Sequence, residues 1–166
     1  MRSQYNLDDH PYFRLHRTEI ERQYRRLLEE AITERRTDVV DDLVSDDVLM
    51  HTTVGPELIR GPDGLKAHLR AYHRAFPDLV CDLESVVTSG STLAAHWTMT
   101  GTHEGPFRGI EPTGAKISVQ GMEISRFENR RFVERWVLVD SLGLLEQLGA
   151  LESAGFETRR HETPWG

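Results

Sequence analysis

"AKISVQGMEISRFENRRFVERWVLVD", residues 115–140, decides the fold. It divides into two long apolar runs, "AKISVQGMEISRF" and "RRFVERWVLVD", which read as strands joined by a hairpin turn at Glu128 to Arg130. Working upstream, residues 79–88 alternate around Leu79, Cys81 and Leu83. "SGS" at 89–91 reads as a tight turn, and "TLAAHWTMTG" continues as a strand. Four strands in antiparallel succession are therefore expected. The stretch between them, "GTHEGPFRGIEPTG" (101–114), is too rich in Gly and Pro for regular structure.

The first half follows a helical period instead. "TEIE" predicts a capping box in which Thr18 and Glu21 open a helix over 18–35, with Ile20, Tyr24, Leu27, Leu28 and Ala31 on one face. A second, short helix is expected from Thr37, burying Val39, Val40, Leu43 and Val44, and "VLMHTT" has the character of a strand. Gly61 and Pro62 mark a third helix, with Leu65, Leu69, Tyr72 and Phe76 at helical spacing until Pro77 stops it. This order predicts an α+β domain, with helices on one face of a curved sheet and an apolar cavity between them. The domain is expected over 18–149, between an N-terminal extension (1–17) and a C-terminal tail (150–166). Weak patterning marks those tails as mobile or used in contacts between subunits.

Composition narrows the function. The 166 residues, 38% hydrophobic and 28% charged, suit one globular domain. A formal charge of −7 argues against nucleic-acid and anionic-membrane partners. The opening residues lack the apolar core of a secretion signal, and no run approaches a bilayer span, so a cytoplasmic location is expected. Cys81 is the one cysteine, which excludes an internal disulfide and a CxxC motif. His68 and His73 are five apart and do not share a helical face as a metal pair would; no metal site is expected.

Asp140 sits where the last strand runs into "SLGLLEQLG". Its carboxylate can cap that helix, or it can exchange protons in a pocket, and the two roles can coexist. Trp136, Leu138 and Asp140 share one side of the strand, so poor solvation beside a Trp and a Leu would raise the acid's pKa. His51, after the apolar "VLM", can point into the same cavity and donate to a carbonyl oxygen, or simply bond to backbone. His103 shares parity with Trp97 and Met99, and orders the loop or touches the pocket. Met50, Trp97, Met99, Met122, Ile124, Trp136 and Leu138 are numerous enough to line a site for a flat, greasy ligand, or are ordinary core. Arg126 can bind a substrate oxygen or pair with an acidic residue on the adjacent strand.

As a set, "GTHEGPFRGIEPTG", "RF", "VERW" and "DSLGLLEQLG" resemble the SnoaL-like polyketide cyclase (ester cyclase) family of the nuclear-transport-factor-like superfamily. The resemblance spans about residues 20–149. It implies a cone-shaped sheet with helices on its concave face, a homodimer or homotetramer, and no metal or organic cofactor. It also implies an acid/base role for an Asp at the position of Asp140, in an intramolecular aldol closure of a hydrophobic carbonyl substrate. The sequence departs from relatives in its "ENRR" turn, where Asp-Gly-Lys is frequent. Isomerisation, epoxide opening or pericyclic closure in the same pocket, and noncatalytic ligand binding, remain open alternatives.

Overall fold

A computed structural model of the chain describes residues 11–151, with side chains from Glu19 onward. Most of both expected extensions lies outside the described residues. Helix α1 (Pro11–Arg26) continues into a wider π-helical segment, Leu27–Thr33. The described helix runs from Pro11, so Thr18 and Glu21 fall inside it rather than capping it. The expected apolar face is present: Ile20, Tyr24, Leu27, Leu28 and Ala31 are all buried.

A 3₁₀ turn (Thr37–Val39) leads into α2 (Val40–Leu43) and β1 (Val44–Thr52). Strand β2 (Leu58–Arg60) was not anticipated, because three residues beside Gly55 and Pro56 carry no readable period. Helix α3 (Gly61–Ala75) opens with Pro62 in its first turn and packs Leu65, Leu69 and Tyr72 inward. Then come β3 (Val80–Ser89), β4 (Thr92–Thr102), β5 (Lys116–Glu128), β6 (Arg131–Val139) and the short α4 (Ser141–Gln147). Asn129 and Arg130, both at positive φ (48° and 66°), form the two-residue turn between β5 and β6.

The strands form one six-stranded curved sheet in the order β2-β1-β6-β5-β4-β3. Only β1 against β6 is parallel. Register shifts in β1, in β3 after Leu83 and in β5 after Arg126 bend the sheet around the helices. On β5 burial alternates without a break: Ile117, Val119, Gly121, Glu123, Ser125 and Phe127 face the helices, and the residues between them face out. The fold is α+β, as the order of elements implies.

One glycine is fixed by packing. Gly121 lies opposite Trp97 in the β4–β5 register, and a Cβ there would come within 2.1–2.7 Å of three indole carbons. The bare backbone is what lets the indole lie across β5. Gly121→Ala should force Trp97 out of place at a cost of about 2 kcal/mol, lowering Tm by roughly 4–8 °C. Thermal unfolding followed by tryptophan fluorescence checks both the stability loss and the displaced indole.

Candidate active site

The inner face of the sheet carries a polar group that its alternation forces inward. Glu123 (β5) and Arg135 (β6) are 1% and 5% exposed, and they meet there. Arg135 Nη2 donates to both carboxylate oxygens (3.0 and 2.8 Å), and its Nε donates to Oε1 at 3.2 Å. The Ser125 hydroxyl donates to Oε1 at 2.7 Å. Four hydrogen bonds on one carboxylate are what make burial of both charges tolerable.

Among the buried side-chain polar atoms without a hydrogen-bond partner in the described residues are the Tyr24 hydroxyl and the Trp97 indole N–H. Tyr24 is close enough to Glu123 to feel its charge, although its hydroxyl meets no partner in hydrogen-bond geometry. Burial first, then the nearby carboxylate, holds its pKa well above the usual phenol value. Burial likewise pushes the Cys81 thiol up to about 12, so it stays protonated.

Glu123, Arg135, Trp97 and Cys81 border a narrow inner cleft of about 50 Å³, walled also by Met50, Met99 and Val137 among others, with Tyr24 behind Glu123 rather than in the lining. His68 and Tyr72 of α3 line it too, and they also line a larger hollow of about 760 Å³ between α3, the β1–β2 segment and the loop at Phe107. The larger hollow is of ligand size; the cleft admits a single functional group. Gly55 (φ 126°) brings its backbone against His68, where a Cβ would sit 3.0 Å from the imidazole. The His68 ring packs edge-on to Tyr72 at 5.1 Å. Burial, helped by the positive charges of Arg135 and Arg108, lowers its pKa to about 4.

The residues singled out from sequence separate into groups. Met50, Trp97 and Met99 line the cleft. Asp140 does not: it is exposed, and its Oδ1 accepts the Gly143 N–H at 2.9 Å as the N-cap of α4. The expectation of a sheltered carboxylate fails because the face it shares with Trp136 and Leu138 is the outer one. Met122, Ile124 and Leu138 are 61, 52 and 61% exposed, and Trp136 is 38% exposed.

His51 also lies outside the cleft, stacked on Trp136 at 5.5 Å and bonded to Glu134 Oε1 at 3.1 Å. Arg126 pairs with Glu134 on the adjacent strand (2.9 Å) and with Glu128 (3.0 Å). His103 is fully buried in the 101–114 loop. Its Nδ1 accepts the Thr113 N–H at 3.2 Å and lies 3.0 Å from the Thr113 hydroxyl, tying the loop ends together. His73 bonds the Ile32 carbonyl at 2.7 Å.

Glu123, Arg135, Tyr24, His68 and Tyr72 were missed as site residues. The available signal was the charged pair itself, placed at 123 and 135 on two strands whose other face is apolar.

The comparisons agree with this architecture. The model of the SnoaL-like polyketide cyclase family matches residues 22–148, and the chain belongs to that family. No curated protein matches it. Among solved structures, TsrD from Streptomyces laurentii is 29% identical with a TM-score of 0.73, covering 81% of this chain and 98% of its own. IdmH from Streptomyces antibioticus, a provisional polyketide cyclase, is 26% identical with a TM-score of 0.69, covering 78% and 98%. AclR from Streptomyces galilaeus, a provisional hydroxylase, is 26% identical with a TM-score of 0.70, covering 81% and 87%. Family and fold support a function of the cyclase or isomerase type. Among the described residues, no helix is long and apolar enough to cross a membrane, and no three acidic, His or Cys side chains are grouped to hold a metal ion.

The buried histidines generate a pH dependence. An unfolded chain protonates its imidazoles near pH 6.5, whereas folded His68 resists protonation down to about pH 4, and burial lowers His73 and His103 in the same direction. The unfolded state therefore binds more protons in this window, and the stability present above about pH 6.5 is lost as pH falls towards 4. His68 alone should account for up to about 3 kcal/mol of that loss. Urea denaturation at a series of pH values should show a visibly shallower slope for His68→Phe than for the parent chain.

Proposed function

We propose that this chain is a cyclase needing no cofactor, closing a ring in a polyketide-like carbonyl compound by proton transfer at the inner cleft. The observation that carries the reading is the Glu123–Arg135 pair, a carboxylate and a guanidinium buried together in the wall of an otherwise apolar cleft. The substrate body would occupy the larger hollow, with its reactive carbonyl end passing His68 and Tyr72. Glu123 Oε2, which accepts one hydrogen bond where Oε1 accepts three, takes a proton from the carbon next to that carbonyl. Arg135 and the Trp97 indole N–H stabilise the enolate oxygen. The enolate carbon attacks a second carbonyl of the same folded molecule, forming a carbon–carbon bond, and Glu123 returns its proton to the new alkoxide. No atoms are gained or lost.

A positioned acid/base contributes about 10² to 10⁴ in rate, and holding the reacting carbons together contributes more. A second reading, ligand binding without turnover, is favoured by the same pair, since Arg135 and Ser125 already occupy much of the carboxylate.

Proton abstraction can be followed without knowing the natural substrate, as deuterium uptake next to the carbonyl of aryl β-keto esters in D₂O. Glu123→Gln should lose at least about 10²-fold in exchange rate, while Asp140→Asn should keep it within a few-fold. The charge-free double variant E123Q/R135M guards against misfolding from a stranded arginine. Unchanged exchange in a folded E123Q protein would remove Glu123 from the chemistry.

We also propose that the outer face seats a second copy of the chain. Met122 lies beside Leu138, and Ile124 beside Trp136, in an exposed cross-strand block. An apolar block on one sheet face suits a two-fold contact with itself, and Arg126 with Glu134 at its margin can pair across such an axis. Leu138→Lys should shift sedimentation from dimer towards monomer at micromolar concentration and leave the inner cleft intact.

A further inference from the structure

The larger hollow carries a charge asymmetry that the proton-transfer chemistry does not use. The chain has 27 acidic and 20 basic residues, yet the charged side chains lining this hollow are Arg60 and Arg108, with no carboxylate among them. Within the described residues neither guanidinium has an ion-pair partner. Both side chains are exposed at the mouth of the hollow, where two like charges with no opposing carboxylate in the lining attract an anion.

The backbone of Arg108 is fixed in a tight turn, as is that of Arg130 at the β5–β6 turn. Phe107 and Ile110 exchange two backbone hydrogen bonds of 2.9 Å, enclosing a two-residue turn in which Arg108 (φ 51°) and Gly109 (φ 84°) both have left-handed backbone. That turn type favours Asn-Gly; an arginine at its first position costs stability. Phe107 is buried against Tyr72 (5.2 Å) and Phe76 (5.3 Å), so the turn is anchored to the end of α3 beside the hollow. The positive charge of Arg108 reaches both His68 and Tyr72 there. A strained residue at the rim of a ligand-sized hollow, charged opposite to the protein as a whole, is the pattern of a residue retained for binding.

We infer that the substrate is a carboxylic acid: an apolar carbonyl compound whose free carboxylate is held by Arg108, with Arg60 alongside, at the rim of the larger hollow. A planar guanidinium matches a carboxylate with two parallel hydrogen bonds, so the acid end is fixed outside while the carbonyl end is directed inward. This assignment rests on the reading of the cavity as the substrate site and adds the substrate's charge and direction.

The test uses anthraquinone-2-carboxylate and its methyl ester, titrated into the full-length protein at pH 7.5 by calorimetry. The acid should bind at least about tenfold more tightly than the ester. Arg108→Gln and Arg108→Asn should each remove that preference while leaving ester affinity unchanged. Arg108→Asn should melt no lower than the parent, because Asn suits the left-handed turn, and this separates lost binding from lost folding. Equal binding of acid and ester, a preference that survives in both variants, or failure of the acid to bind would overturn the inference. Acid and ester binding alike while E123Q still abolishes deuterium exchange would overturn only the carboxylate site. A preserved acid preference with unchanged exchange in E123Q would overturn only the proton-transfer role.

Discussion

The buried Glu123–Arg135 pair constrains the interior of this protein more than any other contact. Two charges removed from water are tolerable only if each is matched, and Ser125 and the fork of Arg135 supply four hydrogen bonds to one carboxylate. Such a pair needs β5 and β6 in one register, since a one-residue slip of β5 would turn Glu123 outward and Met122 inward and leave Arg135 unmatched inside. The pair thus ties strand register to the presence of a polar spot inside an apolar cleft. Trp97 crosses the vacant position at Gly121 to wall that cleft.

Much of the architecture was legible in the residues. Helical and strand periods separate cleanly in this chain, and Pro62, Pro77, the glycine at 90 and the Asn129–Arg130 step punctuate it where the elements end. The site was legible only in part. Period-two alternation says which residues share a face, but direction must come from polarity. On β6 Trp136 and Leu138 alternate with Val137 and Val139, so both faces are apolar. On β5 the outward residues Met122 and Ile124 are more apolar than the inward Glu123 and Ser125. Polarity pointed the wrong way, and Asp140, Trp136 and Leu138 were assigned together to a cavity that lies on the other side of the strand.

Two histidines show the same effect from opposite directions. His51 follows an apolar run and reads as inward, yet the half-turn of the strand after Met50 places it against Trp136 and Glu134. His68 enters the sequence reading only as half of a rejected metal pair, yet α3 presents it to both the cleft and the larger hollow. No local pattern distinguishes these cases, because the distinction depends on which side of the sheet the helices cover.

The parallel pairing of β1 with β6 has a consequence for synthesis. Val44–Thr52 must wait for Arg131–Val139, so the sheet's amino-terminal third has no neighbour until nearly the whole domain has left the ribosome. The β3–β4–β5–β6 meander can zip up sequentially through local turns, whereas docking of β1 closes a loop of some eighty residues and arrives late. Until that final docking, the emerging polypeptide presents an open sheet edge, which makes its passage through the crowded cell dependent on the speed of a long-range closure.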